Sequence, residues 1–125
     1  MNTPAPAHAP LLVQDVEGWT VIEFKTHSLM DAAELERIAR AIYPLIDEQD
    51  KRLIVLDFAA VQYLSSQAIG ILLTMNRKLA GVPRSKMVLC GVSEKLMQLL
   101  RITRLDRVLT IKATQREAIK TSTVL

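Results

Sequence analysis

Between Arg52 and Ala59 runs Leu53-Ile54-Val55-Leu56-Asp57-Phe58, an apolar stretch with no polar–apolar alternation. A strand with one wet face alternates, whereas one that does not alternate is covered on both faces. That condition demands a layer above and a layer below a sheet. It therefore constrains the fold more than any other stretch of the chain. The residues after Phe58 supply one such layer. Beyond a short connector come Tyr63-Leu64-Ser65-Ser66-Gln67-Ala68 and an apolar run from Ile69 to Lys78. This reads as a loop that delivers two serines to the start of a helix over Ser66–Ala80, with Gly81 as its C-cap and Pro83 barring continuation.

The flanking segments complete the pattern. Leu11–Val16 and Trp19–Lys25 are β-prone runs joined at Glu17-Gly18, where glycine supplies the positive φ of a tight hairpin. Ile22 and Phe24 share the face expected to meet the core, with Trp19, Val21 and Glu23 on the other. Leu35, Ile38, Ile42 and Leu45 recur at helical spacing within a helix over Asp31–Asp47. Ser28 and Asp31 are its candidate caps, and Pro44 predicts a kink or an early stop. Lys86–Cys90 is a further strand, Ser93–Leu100 a short helix capped by Ser93, Val108–Ile111 a last strand and Thr114–Thr121 a last helix. The order is β-β-α-β-α-β-α-β-α. It predicts an α/β fold built on a mixed sheet of roughly four to five strands with about four helices and right-handed crossovers.

The chain has 125 residues, which suits one domain, here 11–121. Residues 1–10 hold three prolines among alanines and are expected to form a disordered tail. Half the residues are hydrophobic and only 4% aromatic, so the core must be aliphatic. A net charge of +3 is too weak to imply nucleic acid. Arg101, Arg104 and Arg107 lack the stacking aromatics that a nucleic-acid groove would need. No charged segment followed by an apolar run opens the chain, and no stretch approaches the ~20 apolar residues of a membrane span. A lone Cys90 in an apolar run suits a reducing compartment. The expectation is a cytoplasmic protein with no secretory leader and no membrane insertion.

Enzymatic constellations are thin. His8 lies in the tail and His27 in a loop, no Gly-x-Ser-x-Gly elbow surrounds the serines, and the four glycines are isolated. His8, His27 and Cys90 have no metal-ligand spacing. The expectation is therefore no enzyme, no cofactor and no metal. Asp57 ends the central strand, where it either caps the following turn or faces a ligand. The serines carry two readings as well. One hydroxyl suffices as an N-cap. The other is left over at a helix N-terminus that favours anions, where a phosphate could be added without loss of the fold. Leu29 and Met30, in the connector after the first hairpin, should open on the same sheet end. With Tyr63, Leu64 and Ile69 they could form a partner-binding patch, unless Leu64 and Ile69 are core.

The segment Leu53–Phe58, followed by Val61-x-Tyr63-Leu64-Ser65-Ser66-x-x-Ile69-Gly70-x-Leu72-Leu73, resembles the STAS domain of bacterial anti-sigma factor antagonists. The likeness extends from about Leu11 to Ile119. In that family an aromatic is followed by Asp-Ser-Ser/Thr-Gly and Leu-Gly, and the serine after the Asp is phosphorylated. Anchored on Ile69-Gly70, that position falls on Ser66, with Ser65 as second candidate. Ser65 replaces the family's Asp, and Ala68 its glycine. The resemblance implies a phosphoprotein of transcription regulation without catalysis of its own. Unphosphorylated, it would bind an anti-sigma factor with serine kinase activity through Leu29, Met30, Tyr63, Leu64, Ser65, Ser66, Gln67 and Ile69. Phosphorylated on Ser66, it would let go. A homodimer is compatible with this reading. The alternative is a non-switching STAS subunit of a larger signalling or lipid-transport complex.

Overall fold

A computed structural model describes residues 9–120. Its elements are β1 (Leu11–Val16), β2 (Trp19–Phe24), β3 (Ser28–Leu29), α1 (Ala32–Asp47), β4 (Leu53–Asp57), β5 (Tyr63–Leu64), α2 (Ser66–Ala80), β6 (Lys86–Cys90), α3 (Glu94–Ile102), a 3-10 turn (Leu105–Arg107), β7 (Thr110–Lys112) and α4 (Gln115–Lys120). The main sheet has five strands in the order β1-β2-β4-β6-β7. Only β1 and β2 are antiparallel, and the other neighbours are parallel. The fold is α/β with a mixed sheet and four helices, as expected.

β4 occupies the centre, and Ile54, Val55 and Leu56 are each fully buried. Ile54 and Leu56 join one core with the apolar stripes of α1 and α2. Val55 points the other way, into a second core with Trp19, Val21, Val88, Cys90 and Ala118. Ile22 and Phe24 face the first core as expected. Trp19 and Val21, on the opposite face of β2, are as dry as Ile22, because α4 covers that side. The hairpin turn uses positive φ at both Glu17 (51°) and Gly18 (87°), the geometry that follows strand twist.

The structure decides several open points at the element boundaries and shifts others. α1 is not stopped at Pro44 but runs on to Asp47. Leu45 carries the buried stripe past the proline, and the Pro44 carbonyl accepts from both Glu48 and Gln49, so packing and terminal bonds hold the last turn. Asp31, not Ser28, caps α1, accepting from the Glu34 N–H at 2.8 Å. The last strand starts at Thr110, after the 3-10 turn whose exit leaves Val108 exposed. Ala9 and Pro10 are not a loose tail: Ala9 packs on the first core and the Pro10 carbonyl accepts from Lys25 at 2.7 Å. The rest of the expected tail, with His8, and Thr121 of the last helix lie outside the described residues.

Candidate functional site

Two short connectors meet at the carboxyl ends of β2 and β4. Ser28–Leu29 and Tyr63–Leu64 pair as a two-stranded parallel ladder, with Ser28 opposite Tyr63 and Leu29 opposite Leu64. The His27 carbonyl accepts from Gln62 (2.7 Å) and Tyr63 (3.2 Å), and the Leu29 carbonyl accepts from Ser65 (3.0 Å). The ladder thus positions the serines against the connector after the hairpin, where the sequence placed them together. Elements of two residues show no periodicity, so the ladder itself is not legible in the sequence.

The ladder delivers Ser65 in extended conformation to the N-cap of α2, where its Oγ accepts from the Ala68 N–H at 3.1 Å. Ser66 is the first helical residue. It is exposed, and among the described residues its hydroxyl has no hydrogen-bond partner. The first turn of α2 holds no carboxylate, while Arg77 and Lys78 sit in its last turn. The positive end of the helix dipole is therefore uncompensated beside a free hydroxyl.

Around Ser66 the expected patch sorts by depth. Met30 (53%) and Tyr63 (44%) are exposed, as is Gln67. Leu64 and Ile69 are half-buried and lean on the first core. Leu29 does not belong to an exposed patch: at 3% exposure its side chain is core, and only its backbone faces the serines. The Tyr63 ring is framed by His27 (centroids 6.1 Å apart) and by Lys95, whose Nζ lies 3.9 Å from the ring centroid. The Lys95 contact joins α3 to the loop across 32 residues of sequence, a separation at which spacing carries no signal.

Asp57 serves the turn. Its Oδ1 accepts from the Ala59 N–H at 2.8 Å, and its Oδ2 accepts from Gln115 Nε2, which ties α4 to β4. Both oxygens are occupied within the protein and the residue is buried. Gly91 (φ +67°) passes so close that a Cβ there would sit 2.9 Å from Asp57 Oδ1 and from the Ala59 nitrogen. The Cys90 thiol is pushed up to about 12, by burial first and by the Asp57 carboxylate second. It is held neutral and away from solvent, unlike a nucleophile. Among the described residues no three His, Cys, Asp or Glu side chains gather as metal ligands, and no helix is long and apolar enough to cross a membrane.

The family model of the STAS domain matches residues 13–118. Among solved structures, the chain is similar to an anti-sigma-factor antagonist (STAS) domain protein from Planctomyces limnophilus, at 24% identity and a TM-score of 0.81, covering 91% of this chain and 98% of that one. It is similar to the phosphorylated form of the Bacillus cell fate determinant SpoIIAA, at 21% identity and TM-score 0.69, covering 89% and 97%. It is also similar to a serine-to-glutamate variant of Moorella thermoacetica RsbS, at 16% identity and TM-score 0.73, covering 91% and 95%. At these identities the likeness is one of fold.

Proposed function

The chain belongs to the STAS domain family, and we propose that it is an anti-sigma factor antagonist controlled by phosphorylation of Ser66. In this reading the unphosphorylated protein docks on an anti-sigma factor with serine kinase activity and so frees a sigma factor. The observation that carries it is the division of labour between the serines. Ser65 caps α2, so Ser66 is an exposed hydroxyl with no structural duty. A kinase would transfer the γ-phosphoryl of ATP to Ser66 Oγ, with release of ADP and the hydroxyl proton. The product brings about −1.5 to −2 charges to a helix N-terminus that tolerates them. A partner resting on Met30, Tyr63 and Gln67 would meet that dianion in its interface and lose affinity. The fold would be spared and binding would not. The likeness to the phosphorylated form of SpoIIAA supports a fold compatible with such a modification. The protein would act in the cytoplasm, without a cofactor of its own.

Incubation with the cognate kinase and ATP, followed by intact-mass and fragment mass spectrometry, tests this. One added phosphate on Ser66, absent in Ser66→Ala, is the expected result. No phosphate, or phosphate only at other residues, would sink the switch. One observation favours a second reading, a non-switching subunit of a larger signalling or lipid-transport assembly. Ser65 stands where the family resemblance puts Asp, so α2 begins without a carboxylate beside the acceptor. That reading requires stable co-purification with a partner that has no kinase activity, unaffected by Ser66→Asp.

A further inference from the structure

Three of the four large apolar side chains exposed among the described residues, Met30, Tyr63 and Ile102, line one groove. The groove encloses about 310 Å3 between the β3–β5 ladder and α3, with Leu64 and Leu99 among its lining. Ile102 is 80% exposed, the most of any large apolar residue described. Exposed apolar side chains scatter singly on an ordinary surface, and their collection along one groove marks a contact site. The lining carries a single charge, and it is positive. No Asp or Glu lines the groove, and its single charged residue is Lys95, poised over the Tyr63 ring with no carboxylate partner among the described residues. Arg101, Arg104 and Arg107 flank Ile102 along the chain, with Asp106 among them, and only Arg101 is paired, to Glu94.

We infer that this groove seats an amphipathic helix of a partner, acidic on either side of its apolar stripe. Apolar anchors enter between Tyr63 and Ile102. Glu or Asp side chains take Lys95 from its aromatic face and reach the arginines beyond Ile102. The groove presents leucine side chains, which suits anchors at helical spacing better than strand addition to a backbone edge. The inference goes beyond the Ser66 reading: it shares Met30, Tyr63 and Leu64 with that surface and requires no phosphate.

The test is an amide NMR titration of the full chain with two synthetic helical peptides. One carries Leu at every third or fourth position and Glu elsewhere, and the other carries Lys in place of Glu. The expected result is saturable shifts confined to residues 30, 62–64 and 95–102, with the Glu peptide bound at least ~10-fold more tightly at low salt. Lys95→Glu and Ile102→Ser should each weaken the Glu peptide about 10-fold, and both residues are exposed, so both variants should keep dispersed spectra. Equal binding of the two peptides, shifts centred elsewhere, or no saturation at about 1 mM would overturn it. So would a concentration-dependent dimer in sedimentation that Ile102→Ser abolishes, since the occupant would then be a second copy.

Discussion

Ser65 and Ser66 carry the same hydroxyl and put it to different use. Ser65 Oγ satisfies the Ala68 N–H, so Ser65→Ala should cost about 1 kcal/mol and lower Tm by roughly 4 °C in calorimetry. Ser66→Ala removes an exposed hydroxyl and should leave Tm within about 1 °C. Comparable losses from both would mean that Ser66 has a structural duty. Cys90 offers a pH test. Its folded pKa of about 12 lies above the ordinary 9.0 of a thiol. A group raised in this way contributes its stability in full below pH 9. It loses that contribution as pH rises toward 12, because the unfolded chain releases the proton first. Urea melts of wild type and Cys90→Ala over that window should show a shallower alkaline decline in the variant. At pH 8 the native thiol should react with a disulfide reagent about 100-fold more slowly than in the unfolded chain. Two serines before an apolar helix announce a cap and a spare. Which serine caps depends on where the ladder sets the first helical residue, and no local pattern records that.

At the scale of elements, length decides what can be read. α1 and α2 span 16 and 15 residues and carry their periodic stripes openly. Pro44 argued for a kink or an early stop in α1; the early stop does not occur, and the buried Leu45 carries the helix on to Asp47. β3 and β5, at two residues each, carry no pattern, yet they determine where the serines stand. α4 has only six residues and is held by Ala118 in the second core and by the Gln115–Asp57 bond. Ala118→Asp would place a carboxylate among Trp19, Val21 and Val55. It should cost about 3 kcal/mol and shift the emission of the single tryptophan to the red. Unchanged emission would mean that α4 is not what keeps Trp19 dry.

On the scale of the molecule, one sheet serves two cores. The same β4 sends Ile54 and Leu56 into the first and Val55 into the second. Neither core can open without exposing the back of the strands that build the other. Thermal unfolding should therefore be a single transition, with Trp19 fluorescence and far-UV dichroism giving one midpoint. An earlier fluorescence midpoint would show the α4 face opening by itself. The sequence alone determined the central strand, the layered α/β order and a pair of serines at the start of an apolar helix, because burial on two faces and helical periodicity are written in consecutive residues. Only the tertiary structure decided that Leu29 is core, that Trp19 is covered and that Lys95 meets Tyr63. Those outcomes depend on residues far apart in the chain, brought together by sheet order and by elements too short to carry a periodicity.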